Sequence, residues 1–168
     1  NLFKLSRSKA LYQADVVMLI GTPLDFRLKY GQEGWNADSK LIQIENDVHE
    51  LHHNREADVA MIADSRLVLE ALSEGLQGVR YDNWLNEVRG FEDKKREAME
   101  EWMAWDDQPI NHFRFAAEIE NFIDEDTILI GDGGDIVSAC AKVINVTRPG
   151  QWLDPGPLGC LGVGAPFA

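Results

Sequence analysis

The sequence predicts an α/β fold of parallel sheets with flanking helices. Three observations carry this. Asp15-Val-Val-Met-Leu-Ile-Gly21 is a short continuous apolar run ended by glycine, the pattern of a strand buried on both faces of a parallel sheet. Lys40-Leu-Ile-Gln-Ile-Glu45 reads as a second strand, and Thr127-Ile-Leu-Ile130 drives as a third type of run into the turn Gly131-Asp-Gly-Gly-Asp135. Helical patterns alternate with these runs, and parallel strands require such crossovers.

In chain order, Arg7 to Gln13 has helical composition and precedes the first strand. Ala57 to Ile62 reads as a further strand after the second. Arg66 to Leu76 sets Leu67, Val68, Leu69, Leu72 and Leu76 in a helical pattern. Tyr81 to Trp105 is charged and strongly helical, anchored by Trp84, Leu85, Val88, Phe91, Met99, Trp102 and Met103. Pro109 ends that helix, because proline lacks the amide a helix needs. Asn111 is placed to cap a helix through Phe122, with Phe115, Ile119 and Phe122 on one face. The Ile128–Ile130 strand follows, then a helix from Ile136 to about Val143 and a turn at Arg148-Pro-Gly150. The expected division is residues 1–78, a helical linker 79–108, and residues 109–168.

The chain has 168 residues, is 45% hydrophobic and carries a net charge of −13. That charge excludes nucleic acid and anionic membranes as expected partners. No apolar run approaches the roughly 20 residues that span a bilayer. The N-terminus has no signal-peptide layout and no initiating Met, so the chain is expected to begin inside a longer protein. Cys140 and Cys160 read as reduced thiols, and a cytoplasmic location is expected.

Four strings could carry chemistry. His49-Glu-Leu-His52 matches H-E-x-x-H, which binds zinc only on a sustained helix; a strand ends four residues earlier, so a short exposed helix with chance histidines is the preferred reading. Gly21 and Thr22 follow the first strand, where G-x-G-x-x-G is absent and Pro23 removes a donor, so a simple structural turn is the preferred reading; with the strand-end Glu45 and the downstream Asp64 they could still hold an adenine nucleotide. This gives an alternative function: a module binding ADP, CoA or FAD without other catalysis. Gly133 and Gly134 can expose backbone N–H groups at the start of a helix, where positive partial charge suits a phosphate; a tight strand-to-helix turn capped by Asp132 or Asp135 is the equal alternative. Trp152 to Ala168 adds Gly156, Gly159, Gly162 and Gly164 to a loop stiffened by Pro155 and Pro157, which suits close approach to a ligand or a neighbouring subunit, with a glycine-lined helix packing contact as the alternative.

Taken together these residues resemble the thiamine-diphosphate enzymes of the acetolactate synthase superfamily. The resemblance rests on Ala14–Gly21, on Ser39–Glu45 with Asp47, on Asp124–Gly134 and on Gly159-Cys-Leu-Gly-Val-Gly164. Asp25-Phe-Arg-Leu-Lys-Tyr-Gly31, Asp132-Gly-Gly-Asp135 and Trp152-Leu-Asp-Pro-Gly156 narrow it to the acetolactate synthase-like branch that includes a 2-hydroxyacyl-CoA lyase. It implies part of a Rossmann-like middle domain at 1–78 and the start of a diphosphate-binding domain at 109–168. It implies thiamine diphosphate held by Asp132, Gly133, Gly134, Asp135, Gly159, Cys160 and Leu161. Gly133, Gly134 and Asp135 would face the diphosphate. The Gly159 carbonyl would accept from the aminopyrimidine, and Leu161 would be the apolar wedge that keeps the cofactor bent.

Magnesium, a keto acid or acyl-CoA substrate, and a homodimer or homotetramer are implied for the parent enzyme. The metal motif and the activating glutamate have no match here. The chain is therefore expected to be an inactive internal fragment with no catalytic or metal-ligating residue of its own. Two departures bear on ligands. Pro23 stands where flavin-binding members carry arginine, which counts against FAD, and Asp135-Ile136 stands where acetolactate synthases carry Gln-His.

Overall fold

A computed structural model describes residues 4–168. The architecture is α/β, with two parallel sheets and flanking helices. The chain divides into two compact units, one of residues 6–91 and one of residues 92–168 with residues 4–5.

The first unit opens with helix α1 (Arg7–Gln13) and strand β1 (Val16–Ile20). Strands β2 (Lys40–Glu45) and β3 (Val59–Ile62) complete a parallel sheet in the order β1-β2-β3. Val17 pairs with Leu41, and Gln43 with Ala60, which fixes the face each side chain takes. Leu19, Leu24, Leu28, Trp35, Leu41 and Ala57 form the core, with Leu11, Val17 and Ala60 packed against it. Arg55 closes this core. It donates to the carbonyls of Gly31 (2.9 Å) and Ser39 (2.5 Å), and its guanidinium lies 5.4 Å from the Trp35 ring centroid.

The expectation that β1 is buried on both faces is corrected. Val17 and Leu19 turn into the core, but Val16 and Met18 on the opposite face are exposed. The reason is position: the core cluster of this unit lies on the Val17 and Leu19 face of the sheet, and among the described residues the opposite face of β1 is left partly uncovered. Helix α2 (Ser65–Gly75) is capped by Asp64, whose carboxylate accepts from Leu67 N–H at 3.1 Å. Only Val68 and Leu72 of its apolar set are half-buried, while Leu67 and Leu69 stay exposed.

Helix α3 (Asp82–Met103) matches the charged helical stretch. In the second unit, α4 (His112–Phe122) packs on α5 (Gly134–Val143) around Ala116, Cys140, Val143 and Ile144. Asn111 caps α4 through Phe113 N–H, as the sequence predicts. Strand β4 (Leu129–Ile130) pairs in parallel with β5 (Trp152–Leu153), Leu129 against Trp152. Buried Gln151 anchors the approach to β5. Its amide donates to the carbonyls of Asp124 and Glu125 and accepts from the N–H groups of Thr147 and Arg148. No helix among the described residues is long and apolar enough to cross a membrane.

Candidate cofactor cradle

The end of β4 sets up the cradle. Gly131 leaves the strand beside α5, where a Cβ would lie 3.1 Å from Val137 Cγ1. Gly133 then takes φ 92° and ψ −179°, a conformation essentially reserved for glycine. Gly134 follows at φ 76°, and helix α5 starts there with no side-chain cap on its N-terminal amides. Those amides are orphan donors at the positive end of a ten-residue helix. A Cβ at Gly134 would meet nothing within 4 Å, so the turn is open to a ligand on that side. Asp135 lies in the first turn of the helix.

The glycine-rich tail returns to the same place. Asp154 folds it, accepting from Trp152 Nε1 (2.7 Å) and from Gly156 N–H (2.6 Å). A 3-10 turn over Gly156–Leu158 ends at Gly159, which is left-handed at φ 60°. Leu161, 75% exposed, stands against Gly133: a Cβ on Gly133 would fall 2.5 Å from Leu161 Cδ2. Val163 N–H donates to Asp132 Oδ1 at 2.9 Å across a separation of 31 residues. The structure thus brings Asp132 and Gly133 together with Leu161 and the start of α6 (Gly164–Phe167). Cys160 is exposed beside them. An uncapped helix N-terminus, two successive glycines at positive φ and a solvent-facing Leu fit a diphosphate with an apolar ring system alongside.

Two contributors escaped the sequence reading. Trp152-Leu153 is a strand rather than loop, and Asp154 is the residue that bends the tail. The signal for the second is Asp-Pro-Gly, since an Asp side chain bonding the amide two residues on makes an Asx turn.

In the first unit, Gly21 (φ 56°), Thr22 and Glu45 meet at the C-terminal edge of the sheet. Gly21 N–H donates to the Ile44 carbonyl. Glu45 is 6% exposed, and its Oε1 has no hydrogen-bond partner among the described residues. Burial, with Glu50 and then Asp47 nearby, pushes its carboxyl above the usual range. The Asp64 carboxylate is engaged in capping α2.

The H-E-x-x-H string forms no sustained helix. Val48–Glu50 is a 3-10 turn, Leu51 is extended, and His52 has φ 60°. Buried Gln43 explains this: it donates to the Glu50 carbonyl (2.7 Å) and accepts from His52 N–H (2.9 Å), consuming groups a helix would use. Among the described residues no group of three or more His, Cys, Asp or Glu is arranged to hold a metal.

The family described as thiamine pyrophosphate enzyme, central domain, matches residues 3–72. The chain is 32% identical over 166 residues to a probable acetolactate synthase of Mycobacterium bovis, covering 99% of the chain and 30% of that protein. It is 36% identical over 172 residues to 2-hydroxyacyl-CoA lyase 2 of Bos taurus, covering 99% of the chain and 27% of the lyase. It is 28% identical over 168 residues to oxalyl-CoA decarboxylase of Escherichia coli, covering 97% of the chain and 30% of the decarboxylase. The chain therefore spans less than a third of the length of these relatives.

Proposed function

Because the chain belongs to the thiamine pyrophosphate enzyme superfamily, we propose that residues 109–168 form part of a thiamine diphosphate site in an enzyme that cleaves or forms C–C bonds beside a carbonyl. The activity is of the 2-hydroxyacyl-CoA lyase or acetolactate synthase-like kind, on a small keto acid or acyl-CoA. Residues 1–78 belong to the middle domain and 79–108 link the two. The observation that carries this reading is the convergence of the Gly133 turn and Leu161 on one open, uncapped helix end.

Each residue has a physical task. The Gly133 and Gly134 amides and the start of α5 receive the diphosphate. Asp135 lies in the first turn of α5, beside the amides that would face the diphosphate. The Gly159 carbonyl orients the aminopyrimidine, with Cys160 beside it. Leu161 fills the bend and excludes water. When bound, thiamine diphosphate supplies a carbon nucleophile and an electron sink for the bond that breaks or forms. The enzyme works in the cytoplasm as a homodimer or homotetramer.

Calorimetric titration of the full-length protein with thiamine diphosphate and Mg²⁺ tests the reading. Saturable binding weakened by Leu161→Ala is expected, and no binding by the unsubstituted protein refutes it.

The unpartnered Glu45 Oε1 supports a second ligand in the same enzyme. Its acidic neighbours disfavour a phosphate at that oxygen but suit a hydroxyl donor, so the ribose of an ADP or CoA would meet Glu45 at the Gly21–Thr22 turn, near Asp64. FAD is not part of this reading, given Pro23. ADP binding that survives Glu45→Ala unchanged would reject it.

A further inference from the structure

Resting on the thiamine diphosphate reading above, we infer that Asp132 is a positioning residue: its carboxylate ties the tail that carries Leu161 to the turn that carries Gly133.

The geometry is specific on both carboxylate oxygens. Oδ1 accepts from Val163 N–H at 2.9 Å, two residues past Leu161. Oδ2 rests against Gly164, where a Cβ would lie 3.2 Å away. A side chain at 164 would crowd the carboxylate out of its seat, although Gly164 is not among the glycines at positive φ and would otherwise tolerate alanine. Across the gap, the next residue of the turn supplies the other half of the contact, with Leu161 Cδ2 filling the space of a Gly133 Cβ. One residue pair therefore fixes the tail twice: a charge-assisted hydrogen bond holds its backbone, and a missing side chain receives its Leu.

The alternative task for Asp132, direct contact with a diphosphate, would place like charges together at the positive helix end. Engagement with Val163 avoids that repulsion. It also sets the wedge before any ligand arrives, since a tethered loop has less freedom to lose on binding. The tail has few other restraints. Leu158 and Leu161 are 82% and 75% exposed, so packing does little to hold them.

The test uses the full-length protein with Asp132→Ala, Asp132→Asn and Gly164→Ala, and three readouts. Hydrogen exchange without cofactor reports the Val163 amide directly. Loss of one charge-assisted bond accelerates its exchange by roughly tenfold or more in Asp132→Ala. Asp132→Asn keeps an acceptor oxygen and restores most of the protection. Gly164→Ala accelerates exchange with the carboxylate still present. Thiamine diphosphate affinity falls by a similar factor in Asp132→Ala and Gly164→Ala and is largely kept in Asp132→Asn, because a ligand that binds only the tethered arrangement has its apparent Kd divided by the fraction tethered. The melting temperature stays within a degree or two, which separates positioning from general damage.

Unchanged Val163 exchange in Asp132→Ala overturns the tether. Faster exchange with unchanged affinity overturns its role in positioning. Absence of cofactor binding by the unsubstituted protein overturns the functional reading itself, and with it this one.

Discussion

Gly133→Ala separates the two reasons a glycine stands at the head of α5. The first is backbone conformation. At φ 92° and ψ −179° an L side chain is strained, at a cost of about 1–3 kcal/mol. The second is space. The new Cβ would lie 2.5 Å from Leu161 Cδ2, whereas carbon atoms rest about 3.5–4.0 Å apart. Leu161 must then withdraw by at least about 1 Å, judged against that contact distance. Because Leu161 is 75% exposed, this retreat costs little stability but moves the wedge.

The expected outcome is a loss of about 1–3 kcal/mol in urea unfolding, set by the backbone strain, together with weakened thiamine diphosphate binding. Gly134→Ala is the control. It shares a positive φ, at 76°, but meets nothing within 4 Å. It should destabilise by about 1–2 kcal/mol without displacing Leu161. Combining Gly133→Ala with Leu161→Ala completes a double-mutant cycle, in which the effects on affinity are non-additive and those on stability nearly additive. The reasoning fails if Gly133→Ala leaves stability within about 0.5 kcal/mol, the range of an ordinary surface substitution. It also fails if the Gly133 and Leu161 effects on affinity simply add.

Two further predictions concern the first unit. The raised carboxyl of Glu45 means the folded state holds its proton more tightly than the unfolded chain does. Without a bound ligand, stability therefore falls as pH rises from the ordinary glutamate value of 4.5 through the raised one. Glu45→Gln should be more stable than the parent at pH 7, with the difference vanishing at pH 4 in paired urea titrations. Arg55→Ala strips the Gly31 and Ser39 carbonyls of their donor and uncovers Trp35, a loss of about 3 kcal/mol. Arg55→Lys should recover only part of this, since an ammonium cannot reproduce the planar fork; full recovery would show that charge alone matters.

Much of the fold is legible because local chemistry and tertiary structure agree. Asn111 caps α4 because its side chain meets an amide two residues on, whereas Asp64, read in the sequence as a nucleotide contact, caps α2. The apolar run at 15–21 specifies β1 but not its cover, which depends on which elements pack over each face of the sheet; hence Val16 and Met18 differ from expectation. The H-E-x-x-H string is decided by Gln43, a residue on another element that no local pattern connects to it. The glycine segments of the cradle are visible as composition. Their meeting through Asp132 and Val163 is a long-range contact that spacing alone does not encode.

The short β4–β5 ladder has a bearing on how this protein tolerates change in length. Both halves of the cradle hang from neighbouring strands whose register is fixed at Leu129–Trp152 and Ile130–Leu153. Residues added within the exposed Thr147–Gly150 loop are absorbed before that ladder and leave the spacing between Gly133 and Leu161 untouched. One residue added between Leu153 and Leu161 has no such buffer and would carry Leu161 out of reach of its seat on Gly133. Divergent relatives should therefore vary in length before Gln151 and keep a constant count from Trp152 onward.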